Sequence, residues 1–129
     1  MEILQPPGWK QPIGYANGVA ASGRLVFVAG QIGWNAECRF ETDDFVEQTR
    51  QALANVVAVV AEAGGSPEHI VTMTWYLTSK GEYLENLRAV GQVWRAVLGR
   101  HFPAIAAVEV AGLMEDRAKI EIQAMAVIP

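Results

Sequence analysis

Few side chains in this 129-residue sequence belong to types that carry out metal, nucleophilic or proton-transfer chemistry. Their spacing decides which of those chemistries is open. The soft metal ligands are Cys38, His69 and His101, far apart in the chain. No HxxxH, HExxH or CxxC pattern brings two of them onto one face, so no metal site is expected. Cys38 has no neighbour in sequence that would activate a thiol and reads as an exposed loop residue. Ser22, Ser66 and Ser79 fall at turns or helix starts, where a hydroxyl serves the backbone, and no GxSxG surrounds any of them. His69 and His101 lie at element ends, positions that favour capping or solvation. The glycines of "GQIG" and "AGG" are too few for a phosphate-binding loop, and no cofactor is expected. Glu109, on an apolar strand, and Glu121, with Gln123 two residues on, have two readings. One is a solvated rim or an ion pair with Arg117 or Lys119; the other is general acid–base work in a cleft.

The elements that must position these groups follow from periodicity. "MEILQPPGWKQPIG", with its prolines and glycines, reads as an irregular arm. A strand over Tyr15–Ala21, a Ser22-Gly23 turn and an apolar strand over Leu25–Ile32 read as a hairpin. After the polar loop "WNAECRFETDD", Thr42, Asp43 and Asp44 offer N-caps for a helix. Its buried stripe is Phe45, Thr49, Ala52, Leu53, Val56, Val57 and Val60, and Gly64-Gly65 ends it. "IVTMTWYLT" alternates as a third strand. Ser79 with Glu82 forms a capping box for a second helix, whose stripe is Tyr83, Leu84, Leu87, Val90, Trp94, Val97 and Leu98. Strands at Ala104–Ala111 and Lys119–Val127 close the chain.

The order is ββαβαββ, an α+β class with a mixed sheet and two helices on one face. The helical crossovers predict parallel neighbouring strands. If Ala106, Val108 and Val110 meet the helices, Ile105, Ala107 and Glu109 face outward. An outward face that apolar predicts a homo-oligomer of cyclic symmetry. Trp75 and Trp94 fall on the core stripes, whereas Trp9, Tyr15 and Trp34 lie off them and are candidates to line a cleft.

Composition narrows the partners. The chain has 10 basic and 14 acidic residues, a net charge of −4. The basic ones are scattered, so no nucleic-acid surface is expected. A lone cysteine fits a reducing compartment. No stretch has the roughly 18 apolar residues of a membrane span. "MEILQPPGWK" lacks a basic-then-apolar signal pattern. One cytoplasmic domain over residues 1–129 is expected.

"LVFVAGQIG", "QALANVVAVVAEAGGSPEHIVTMTWYLT" and "FPAIAAVEVAGLMEDRAKIEIQAMA", in that order and spacing, resemble the RidA/YjgF family, also called L-PSP. The likeness runs from "PIGYANGV" to "IEIQAMA". It implies a chorismate-mutase-like fold and a homotrimer whose sheets form a central barrel, with small-molecule clefts between subunits. It also implies hydrolysis of reactive enamines and imines to 2-keto acids and ammonia. Family members with that activity hold the substrate carboxylate through the arginine of a "PARS" segment; here the segment reads "PAIA", with Ile105 in its place. Gln123 stands for a glutamate, Gly91 for an asparagine and Ala29 for a serine. Tyr15, Gly30 and the main chain of Ala107 match cleft positions. Cys38 falls where relatives often carry glycine, so strain is expected if that turn needs positive φ.

The implied cleft is therefore Tyr15, Gly30, Gly91, Ile105, Ala107 and Gln123, with Gln123, Glu109 and Tyr15 as candidates for catalysis. One reading is a deaminase of an unusual imine or enamine, retuned toward a more neutral or differently oriented ligand. The alternative is a non-catalytic trimer that binds a metabolite or a partner protein. The endoribonuclease activity attached to the family name is disfavoured by net acidity and the missing basic groove.

Overall fold

The computed structural model describes residues 1–129. Helix α1 (Phe45–Glu62) starts where Asp44 Oδ2 accepts from Glu47 N at 3.0 Å. The other two cap candidates support it: Thr42 Oγ1 accepts from Asp44 N, and Asp43 pairs with Arg117 at 2.9 Å. The buried stripe is the expected one with two differences: Val57 is only partly buried against the core, and Gln48 is added, fully buried. Its amide donates to Thr42 O and Arg117 O and accepts from Lys119 N. A polar side chain with every bond satisfied is thus the staple between the start of α1 and the start of the last strand.

The main sheet has the order β3-β6-β4-β5, from β3 (Arg24–Ile32), β4 (Ile70–Leu77), β5 (Ala104–Glu109) and β6 (Ile120–Ile128). β4 and β5 are parallel neighbours, as the crossover requires. The first crossover departs from expectation: β3 and β4 run parallel but are separated by β6, which is antiparallel to both. A crossover fixes relative direction, while adjacency depends on a strand that arrives only at the end of the chain.

The hairpin is also replaced. The second strand, β2, is only Gly18–Ala20 and pairs with β1 (Glu2–Leu4), inside the arm expected to be irregular. Gly23 explains why β3 turns elsewhere. Its φ is +148°, and a Cβ there would lie 2.3 Å from Ile128 O, so the turn packs against the end of β6. Alternating residues report extended chain but not its partner.

The second helix is two: α2 (Lys80–Glu85) and α3 (Leu87–Leu98). Ser79 Oγ accepts from Glu82 N as predicted, but the Glu82 carboxylate pairs with Lys119 at 3.3 Å instead of closing the box. The break is Asn86, whose side chain donates to Glu82 O at 2.7 Å while its backbone leaves helical geometry. Asparagine competes with the helix in this way.

The faces of β5 are the reverse of the conditional assignment. Met73 pairs with Ile105 and Trp75 with Ala107, and Met73, Trp75 and Leu77 are buried beneath the helices. Ile105, Ala107 and Glu109 therefore lie on the helix side, and Ala106 and Val108 on the other. Apart from Glu109 both sets are apolar, so the phase was decided by register with β4. The outward apolar face persists with other members: Phe27 (69 % exposed), Leu25 (54 %) and Val108 (43 %). No helix is long and apolar enough to cross a membrane.

Candidate active site

A cleft of about 570 Å³ opens between α3 and β5 on the helix side of the sheet. Its floor is aromatic. Trp94 stacks on Phe102 at 5.9 Å and 7°, Trp75 lies 6.1 Å from Trp94, and Tyr83 meets Trp75 edge-on at 6.3 Å. One wall is the α3 stripe Leu87, Gly91 and Arg95, spaced four apart and hence on one helix face. The other wall is Ile105 and Ala107, and the lip is Ile13, Gly14 and Tyr15. Ala16 fixes that lip: its N–H donates to Pro103 O at 2.9 Å, and it bridges to Ala104 in parallel.

Most of this cleft is apolar. Its polar groups are the Tyr15 and Tyr83 hydroxyls, the Trp75 indole and Arg95, and no carboxylate or imidazole lines it. Burial pushes the Tyr83 phenol above its ordinary pKa of 10.0, so it stands as a neutral group at physiological pH. The Trp94 N–H donates to His101 O at 3.0 Å, whereas the buried Trp75 N–H has no partner in the chain. A buried donor without an acceptor costs about 1–3 kcal/mol. A Cβ at Gly91 would meet nothing within 4 Å, so the missing side chain there widens the cleft.

Of the residues singled out from sequence, Tyr15, Gly91, Ile105 and Ala107 line this cleft together. Gly30 and Gln123 do not. They line an open depression of about 430 Å³ on the opposite, outward face, beside Tyr76 and Glu121. There Tyr76 Oη donates to Gln123 Oε1 at 3.4 Å, and the Glu121 carboxylate lies across Gly30. Within one chain, Gln123 cannot act on a ligand beside Ile105. Glu109 lines neither site: its Oε1 accepts from Lys80 N at 2.7 Å, at the first residue of α2. An ion pair with Lys119 or Arg117, one of the readings left open by the sequence, is absent, since those cations pair with Glu82 and Asp43.

The remaining candidates have structural duties. His69 Nδ1 accepts from Ser66 N at 3.0 Å, and His101 Nε2 donates to Ile70 O at 2.6 Å. Cys38 is exposed at φ 60°, the strained turn anticipated for a non-glycine residue. Trp34 packs against Phe40 at 5.8 Å, and Trp9 is exposed on the arm; neither lines the aromatic cleft. The aromatics that do are Tyr15, as anticipated, with Trp75, Tyr83, Trp94 and Phe102. Trp75 and Trp94 are buried in the core as read from sequence and form part of the cleft floor as well. The four-residue spacing of Leu87, Gly91 and Arg95 was the signal that would have found Arg95.

Comparison with known proteins agrees with this architecture. The profile described as Endoribonuclease L-PSP matches residues 10–128. The 2-iminobutanoate/2-iminopropanoate deaminase of Escherichia coli K12 is 36 % identical over 116 residues, covering 88 % of this chain and 86 % of that protein. YyfB of Yersinia pestis, a protein of the Rid family, superposes with a TM-score of 0.85 at 30 % identity over 98 % of both chains. E. coli TdcF with bound serine superposes at 0.70, with 31 % identity over all of both chains. Motif order, fold and sequence match all lead to one assignment: this chain belongs to the Endoribonuclease L-PSP family, the RidA/YjgF proteins.

Proposed function

We propose that the protein is a small-molecule hydrolase of the imine or enamine deaminase type, working as a cytoplasmic homotrimer. The observation that carries the reading is the convergence of Tyr15, Gly91, Ile105 and Ala107 on one cleft large enough for a metabolite. The kinship with a 2-iminobutanoate/2-iminopropanoate deaminase supplies the reaction class. Water adds across the C=N bond, the carbinolamine collapses, and a carbonyl compound and ammonia leave. The apolar outward face of Leu25, Phe27 and Val108 supports association. Association would also bring the Gln123 and Glu121 depression of one copy to the cleft of another, which a single chain cannot do.

Ile105 separates this cleft from a carboxylate clamp on β5. It offers neither charge nor donor, so a substrate held through a carboxylate at that point gains nothing. Short 2-imino acids are then poor substrates. The test is ammonia release from a panel of imines generated in situ, run beside a relative that has arginine at this position. Release from a bulkier imine, with slow turnover of 2-iminopropanoate, supports the reading. A second reading, a binding protein without turnover, is favoured by one observation: no carboxylate or imidazole lines the cleft. Ligand binding with no ammonia from any imine would select it.

A further inference from the structure

We propose that Arg95 is the anion anchor of the aromatic cleft, and that the cleft takes a planar aromatic or conjugated carboxylate with its charged end toward the C-terminal turn of α3. The proposal rests on the reading of this cleft as the ligand site and adds to it the ligand class and the residue that selects it.

Arg95 is the one charged residue lining the cleft. It is exposed, and its guanidinium takes part in none of the chain's salt bridges or side-chain hydrogen bonds. Arg117 and Lys119, by contrast, are both committed to carboxylates. An arginine left free beside an apolar cavity keeps its planar fork of donors for an incoming carboxylate. Its place on α3 directs it to the cleft. Leu87, Gly91 and Arg95 share a helix face, and the empty position at Gly91 leaves clear space one turn away from the guanidinium. The floor sets the rest of the ligand. Stacked Trp94 and Phe102, with Trp75 inclined beside them, present flat aromatic faces that favour a planar conjugated body. The opposite wall, Ile105 and Ala107, has no side-chain charge to compete for the anion. The cation thus enters from the helix, and the ligand is turned relative to one clamped on β5.

Arg95 also lies in the last turn of α3, where any cation interacts favourably with the helix end. A purely structural role would lower stability on substitution without changing ligand preference, so the test reads preference. Benzoate, benzamide and propionate are titrated into ¹⁵N-labelled protein, and the four tryptophan indole N–H signals are followed. The same titrations are run on Arg95→Gln and Arg95→Lys, with thermal melts as a check on folding. Wild-type protein is expected to bind benzoate about 10- to 100-fold tighter than benzamide, the range for a charge-assisted pair. It is also expected to bind benzoate tighter than propionate. Arg95→Gln abolishes the preference for benzoate over benzamide and leaves benzamide binding within about twofold, while Arg95→Lys restores part of it. If wild-type protein binds benzoate and benzamide equally, or Arg95→Gln keeps the preference, the anchor is wrong and the cleft remains a ligand site. If propionate binds as well as benzoate, the aromatic ligand class is wrong. If none of the three binds, the cleft reading itself falls.

Discussion

Replacing Ile105 with arginine tests the central claim about this cleft. Ile105 is half-buried, packs against the core and pairs in register with the buried Met73. Arginine can follow the same path with its aliphatic stem, but it forfeits part of the apolar burial and places a second guanidinium in the cleft with Arg95. The expected loss of stability is about 1–2 kcal/mol, from the apolar area given up and the like charge. The gain is a bidentate partner for a carboxylate on β5. A pair of that kind contributes about 2–4 kcal/mol, so wild-type protein should hydrolyse 2-iminopropanoate roughly 30- to 1,000-fold more slowly in kcat/KM than an arginine-bearing relative. Ile105→Arg should tighten binding of short 2-keto acids by about 10- to 100-fold. Turnover should follow only when Gln123 is also made Glu, because binding without proton transfer gives little rate. Gln123 lies on the opposite sheet face, so the double variant should be active only as an oligomer. The assay generates the imine with an amino acid oxidase and follows its disappearance by semicarbazide trapping. Equal rates for wild-type protein and the arginine-bearing relative would refute the reasoning. So would a folded Ile105→Arg variant that binds 2-keto acids no better.

Three further outcomes follow from particular contacts. Phe27→Asp should convert an oligomer to monomers by light scattering with little change in the circular dichroism of the chain, because Phe27 is 69 % exposed in the single chain; an unchanged mass would place the interface elsewhere. Gln48→Leu should lower unfolding free energy in urea by about 3 kcal/mol or more, since two carbonyls and one N–H lose their partner. Tyr83 holds its proton more tightly folded than unfolded. The stability this brings is complete below pH 10 and is lost as pH rises from 10 through the raised folded value. Tyr83→Phe should therefore flatten part of the alkaline decline in melting temperature, and identical slopes above pH 10 would contradict the burial effect.

Local chemistry was legible in the sequence. The N-cap at Asp44, the Ser79 cap and the strained turn at Cys38 each depend on residues within a few positions of one another and are found. The stripe of α1 is found apart from the partly buried Val57. The alternation of β4 holds from Met73 to Leu77, while an irregularity at its start buries Ile70 instead of Val71. The family was legible too, because motif order and spacing are properties of the chain itself. What only the tertiary structure decided involves contacts between distant segments. Strand β6, last in the chain, inserts between β3 and β4 and so breaks an adjacency that the crossover alone implied. Two apolar phases were open to β5, and its register against Met73 and Trp75 chose the one that turns Ile105 and Ala107 into the cleft. Tyr15 reaches that cleft because Ala16 bonds to Pro103, nearly ninety residues away. Arg95 looked from sequence like one more scattered surface cation. Its significance arises only where α3 faces β5, because a cleft is made of surfaces from separate elements and no local pattern records which surfaces will meet.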